Sequence, residues 1–189
     1  MKIILASASP RRSDLMKMAG FSFDVRVKNT PETHPEEAII EAIPQHLAER
    51  KAMAFFDEIA EDEVIVAADT IVILNGKIFE KPQHREEAIA MLTSLGGQTH
   101  KVVTGVCLLS KSKKVAFRDE TKVTFNALTE SEIAFYVDNF KPYDKAGAYA
   151  CQEWIGAVAI AKFEGDYFNV VGLPVNKVYQ HLKEFDVNN

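Results

Sequence analysis

Two periods of apolar and polar positions run through the chain, one near two residues and one near three and a half. "KIILA" (2–6) is a short apolar run and predicts a buried strand. Ser9 then stands before Pro10, an N-cap followed by proline at the first helical position, where a missing N–H costs little. Leu15, Met16 and Ala19 give that helix an apolar face, and Gly20 gives it a stop. "FSFDVRV" (21–27) alternates and predicts a second strand, followed by a loop over "KNTPETH" (28–34). "PEEAIIEAI" and "PQHLAERKAMAFFDEIA" have helical spacing, with Pro44 breaking or kinking the chain between them.

"EVIVAADTIVIL" (63–74) predicts a long strand, "NG" (75–76) a tight turn, and "KIFE" the return strand. "REEAIAMLTSL" (85–95) predicts a helix ended by Gly96 and Gly97. "HKVVTGVCLLS" and "KVAFRDETKVTFNAL" predict strands joined by the turn "KSKK". In "TESEIAFYVDNF" (129–140), Thr129 and Glu132 have capping-box spacing. "AVAIAKFEGDYFNVVG" mixes strand and turn, and Pro174 opens a last helix to about Phe185. Helices and strands alternate without repeats or long linkers. The expectation is one α/β domain over 1–189, built around a mixed, twisted sheet.

Composition narrows this little. The 189 residues are 47% hydrophobic and 26% charged, an ordinary balance for a globular chain able to bury a core without disulfides. A net charge of −5 argues against coating nucleic acid, although cations focused locally can still bind phosphate. Cys107 and Cys151 lie in apolar company without CxxC pairing, which predicts reduced, buried thiols and a cytoplasmic setting. No run approaches the ~18 apolar residues of a membrane span, and the apolar run before Arg11 is too short for a signal segment.

The informative residues are those that break local rules. Asp69 and Thr70 interrupt the most apolar strand of the chain. A carboxylate there is costly to bury unless paired or bound to a cation. It is either turned outward and solvated, or presented as a metal ligand or general base. The helix start at Ser9–Arg12 is either a plain cap with two solvated arginines or an anion site. For the second, free backbone N–H groups, Ser7 and Ser9 hydroxyls, and the Arg11 and Arg12 guanidinium groups would act together.

Lys51 on its amphipathic helix and Lys81 before Pro82 have the usual reading of surface lysines, and Glu32 that of a loop glutamate. "DKAGAY" (144–149) sets Asp144 and Lys145 beside Gly147, a position of close backbone approach; a simple turn is the alternative to a substrate-binding Lys145. None of the five histidines has zinc spacing, and no Walker A loop, GxGxxG or GxSxG is present.

Six ordered blocks carry a resemblance over residues 3–184: "LASASPRR", "LAERKA", "AADT" with "EKP" downstream, "GGQTHKVVTGV", "DKAGAYACQ" and "NVVGLP". Together they resemble the Maf family of nucleoside triphosphate pyrophosphatases. The resemblance implies an inosine-triphosphatase-like α/β fold, an elongated mixed twisted sheet flanked by helices, with two lobes and a central cleft. It implies hydrolysis between the α and β phosphates, a divalent cation (Mg²⁺, Mn²⁺ or Co²⁺), and commonly a homodimer.

By the same resemblance, the family's catalytic aspartate falls on Asp69, as proton acceptor, metal ligand or both. Its helix-start serine and arginines fall on Ser9, Arg11 and Arg12, and its two catalytic lysines on Lys51 and Lys81. Its loop glutamate falls on Glu32 as a second metal ligand; here "NTPETHP" lacks the acidic residue that usually precedes it. Arg12, Thr70 and Gln152 fall at positions separating the family's branches by base, and "SPRR", "ADT" and "AYACQ" resemble the branch acting on dTTP and UTP. Glutamine can both donate to and accept from a pyrimidine edge. Modified pyrimidine triphosphates are a house-cleaning variant of this reading. A nucleotide-binding regulator of septum formation, acting through a protein partner, is the alternative from another class.

Overall fold

The structure is a computed structural model and describes residues 1–31, 33 and 39–185. The chain forms β1 (Lys2–Leu5), α1 (Pro10–Met18), β2 (Phe23–Val25), α2 (Ile43–Met53), β3 (Glu63–Leu74) and β4 (Lys77–Phe79). It continues with α3 (Arg85–Leu95), β5 (Thr99–Leu109), β6 (Lys114–Phe125), α4 (Glu130–Phe140), α5 (Trp154–Ala159), β7 (Ile160–Glu164), α6 (Tyr167–Val171) and α7 (Val175–Leu182). Among the described residues, seven strands make one sheet in the order β2-β1-β3-β5-β6-β7, with β4 paired to β3. β1 runs parallel to both β2 and β3, whereas β3–β4 and β6–β7 are antiparallel, so the sheet is mixed as expected.

The contacts divide the chain into two compact units. The first holds Met1–Asp69, Thr104–Asp119 and Gly172–Asn189; the second holds Thr70–Val103 and Glu120–Val171. Each has its own apolar core. In the first, Ile4, Ile65, Ala67, Cys107 and Leu109 from the sheet pack with Ala48, Ala52 and Phe55. In the second, Val72, Leu74, Val102 and Val123 pack with Leu92, Ile133, Tyr136 and Ile155.

Local signals explain most boundaries. Asn75 and Gly76 both have positive φ, 51° and 73°, the backbone that a two-residue hairpin between β3 and β4 requires. At α4 the box forms in full: Thr129 accepts from the Glu132 N–H, and Glu132 accepts from the Thr129 N–H at 2.7 Å. At α1, Ser9 occupies the cap position and Pro10 opens the helix, but the Ser9 hydroxyl makes no capping bond.

Four expectations need correction. The helix expected through Ala60 stops at Met53. Of "PEEAIIEAI", residues 35–38 lie outside the described residues, and Ile40–Ala42 form a 3-10 turn, not an α-helix. Pro44 is the second residue of α2 and does not kink it, because the first turn has no partner for its missing N–H. The strand-and-turn expectation over 157–172 missed the short helices α5 and α6, each too brief to show a helical period. Cys107 and Cys151 are free thiols, both buried. Among the described residues, no helix is long and apolar enough to cross a membrane.

Candidate active site

The first unit builds a charged edge from three segments. β1 pairs with β3 in parallel from Lys2↔Glu63 to Leu5↔Val66, and there β1 ends. β3 continues past that point, reaching Asp69 three residues later, roughly 10 Å further along the strand. The chain leaving β1 passes Ser7 and Ser9 into α1. The α1 start therefore follows the carboxyl end of β1, and Asp69 lies on β3 beyond the level of that end; the carboxyl ends of parallel strands are where open α/β sheets hold their ligands. β3 is buried at every position except Asp69 and Thr70, which are half-buried.

Strand alternation places Ile65, Ala67 and Asp69 on one face. Ile65 and Ala67 pack with Ala48 and Ala52 of α2. Lys51 lies between those alanines at helical spacing, so the same packing brings it over Asp69. Its ammonium is 2.6 Å from Asp69 Oδ1, and the two side chains are only 19% and 13% exposed. The ordinary surface-lysine reading of Lys51 fails for this reason. The solvated-carboxylate reading of Asp69 fails with it.

At the helix start, Ser7 is 7% exposed. Its hydroxyl oxygen accepts from the Ser9 N–H at 3.2 Å and from Arg12 Nη1 at 3.2 Å. Arg12 Nε donates to the Gly172 carbonyl at 2.9 Å. Arg11, beside it on α1, is half-buried. Plain solvated arginines do not describe this turn, because one of the two is tied at both ends of its guanidinium group.

The remaining sequence-derived positions belong to the second unit. Thr70 follows Asp69 on β3 and is half-buried; Lys81, after β4, and Gln152 are exposed. Gln152 Oε1 lies 3.7 Å from the Cys151 thiol. Lys145 is far more enclosed than a turn lysine, at 9% side-chain exposure, and pairs with Asp144 at 2.8 Å and Glu153 at 3.4 Å. Gly147 has φ +68°, and a Cβ there would meet Val72 Cγ2 at 3.0 Å, the close approach expected at this position.

The sequence reading missed the partners of Lys145. The Tyr136 hydroxyl donates to Glu153 and accepts from the Ala150 N–H at 3.2 Å. Burial, then the Glu153 carboxylate, pushes that hydroxyl well above the usual tyrosine range, so it stays a donor. The available signal was Tyr136 itself, a residue with a polar tip on the apolar face of α4. His100 on β5 was also passed over. It is buried, Nε2 lies 2.7 Å from the Tyr149 hydroxyl, and burial lowers its pKa to about 4.

Glu32 lies outside the described residues. Among the described residues, no group of three or more His, Cys, Asp and Glu side chains is arranged to hold a metal. Asp69 offers one carboxylate. Mg²⁺ is commonly held by one or two carboxylates together with substrate phosphates, so that single donor fits such an ion.

A family model described as "Maf-like protein" matches residues 2–185. A protein of Parabacteroides distasonis named "dTTP/UTP pyrophosphatase" is 45% identical over 185 residues, covering 97% of this chain and 96% of its own. One of Bacteroides fragilis with the same name is 47% identical over 186 residues, covering 97% and 95%. Among solved structures, the Staphylococcus aureus Ham1 protein superposes with a TM-score of 0.55 at 16% identity, over 99% of this chain and 100% of that one. At that identity the likeness speaks for the fold alone, and it agrees with the expected mixed-sheet α/β class.

Proposed function

The chain belongs to the Maf-like family, and on that premise we propose that it hydrolyses dTTP and UTP to the nucleoside monophosphate and pyrophosphate. The observation that carries the proposal is the Lys51–Asp69 pair, held at 2.6 Å at the one break in an otherwise buried strand. The names of the relatives supply the substrate class and favour an enzyme over the regulatory alternative. The whole chain is taken as one functional domain, and a homodimer is carried as a proposal that light scattering tests.

Lys51 engages Oδ1 of Asp69, which fixes the carboxylate plane and leaves Oδ2 to take a proton from the attacking water. The α1 start, with Arg11 and Arg12, supplies donors and positive charge for phosphate oxygens. A divalent cation (Mg²⁺, Mn²⁺ or Co²⁺), held by Asp69 and by Glu32 on the family pattern, would neutralise phosphate charge when bound. On the same pattern Lys81 serves the phosphates, Thr70 and Gln152 the pyrimidine, and Arg12 the branch preference. Lys145, paired with Asp144 and Glu153, is a further proposed substrate contact. In-line attack at the α phosphorus needs positioning more than covalent help from the protein.

Product chromatography tests the proposal. UTP and dTTP should yield monophosphate and pyrophosphate; diphosphate with orthophosphate would overturn the assignment. Asp69→Asn should lower turnover at least ~10²-fold, the scale of losing a general base. Near-normal turnover in that variant would remove Asp69 from the chemistry.

A further inference from the structure

The block "NVVGLP" has no role in the mechanism above, yet its glycine touches the α1 start. Gly172 has φ 126°, a backbone region that side chains disfavour. The next residue, Leu173, is fully buried, and Pro174 caps α7. The Gly172 carbonyl, fixed by these neighbours, accepts from Arg12 Nε at 2.9 Å across 160 residues of sequence. From the other side, Ser7 Oγ accepts from Arg12 Nη1 at 3.2 Å and from the Ser9 N–H at 3.2 Å. A serine hydroxyl has two acceptor lone pairs, and both are used here. An arginine tied at Nε and at one terminal nitrogen has its guanidinium plane determined by the protein.

We propose that Ser7 and Gly172 are positioning residues for Arg12: Ser7 acts on the substrate through Arg12, and the "GLP" turn exists to aim that arginine. This rests on the pyrophosphatase reading for its consequence, though not for its geometry. Arg12 meets the nucleotide without having to be ordered first, and a pre-aimed donor loses less entropy on binding.

A double-mutant cycle over Ser7 and Arg12 tests it, read as KM and kcat for UTP with pyrophosphate release. Ser7→Ala should raise KM about tenfold, the scale of one hydrogen bond to a charged group, with a smaller change in kcat. Ser7→Thr, which keeps the oxygen, should stay within about twofold of wild type. In an Arg12→Ala background, Ser7→Ala should add less than about twofold, because sites acting as one unit are non-additive. Gly172→Ala should raise KM in the same Arg12-dependent way; if that variant does not fold, the Ser7 cycle stands alone.

A full Ser7→Ala penalty on top of Arg12→Ala would overturn the proposal, as would an unchanged KM in Ser7→Ala. A wild-type chain that releases no pyrophosphate defeats the functional reading instead. The geometry is then judged by NMR exchange of the Arg12 Nε proton, identified by its loss in Arg12→Lys. Exchange at least ~10-fold slower than in exposed arginines, and faster in Gly172→Ala, supports the anchoring; exchange like that of exposed arginines overturns it.

Discussion

Replacing Lys51 by methionine keeps the stem of the side chain and removes only its charge. Asp69 then loses its ion-pair partner, on a strand buried on both sides of the break at 69–70. Exposed ion pairs contribute about 0–1 kcal/mol, whereas breaking a buried one costs about 3–5 kcal/mol. With 19% and 13% exposure the pair lies between these limits, so Lys51→Met should cost about 2 kcal/mol. For a chain of this length that lowers the melting temperature by about 4–8 °C.

The reverse change is gentler. Asp69→Asn neutralises the carboxylate and leaves a lysine whose flexible stem can carry its ammonium to water, so it should cost below about 1 kcal/mol. The double variant Lys51→Met/Asp69→Asn should recover part of the Lys51→Met loss, since neither charge is then left alone. Urea unfolding followed by circular dichroism, at neutral pH with chelator present, measures all three. Lys51→Met within about 0.5 kcal/mol of wild type, or Asp69→Asn costing as much as Lys51→Met, would refute the asymmetry.

Two further outcomes concern the units separately. Burial holds His100 near pKa 4 in the folded chain against 6.5 when unfolded, so below pH 6.5 the unfolded chain binds the extra proton. Stability from this group is complete above pH 6.5 and is lost as pH falls towards 4, by up to about 3 kcal/mol. His100→Phe should flatten that part of the stability–pH curve, and an unchanged slope removes His100 as its source. Gly105→Ala would put a Cβ 2.1 Å from the Gln45 backbone nitrogen, so β5 and α2 must part by more than an ångström. It should cost ~3 kcal/mol or yield insoluble protein, and a soluble variant with wild-type stability would contradict that packing.

The long elements were legible because each contains its own signal. β3 shows nine apolar residues in twelve, the hairpin shows Asn-Gly, and α4 shows its capping box. α5 and α6 were not legible, because six- and five-residue helices complete too little of a helical period and are set by tertiary packing. Asp69 stood out because a carboxylate in an apolar run contradicts its surroundings. Lys51 carried an equivalent signal that composition hides: Pro44, Ala48, Lys51 and Phe55 form one stripe at helical spacing, and its other members are buried. A lysine inside a buried stripe needs an anion opposite it. Only the register of β3 against α2 shows that the anion is Asp69.

Arg12 shows a different limit. Its bonds join residues 5 and 160 positions away, and the distant acceptor is a backbone carbonyl, which every residue possesses. No side-chain pattern can announce such a contact; what the sequence can show is the glycine that lets the carbonyl turn. Among the described residues, Lys51 pairs with a carboxylate of its own unit, and Arg12 donates to a hydroxyl and a carbonyl of the same unit. The difference predicts how each responds to a polyanion. A carboxylate partner competes electrostatically with phosphate for the ammonium, whereas a hydroxyl and a carbonyl fix the guanidinium plane without adding a charge of their own. The Ser7 and Gly172 bonds therefore aim Arg12 in advance. In the proposed mechanism, Lys51 serves first to hold the oxygen beside the one to which the water's proton goes.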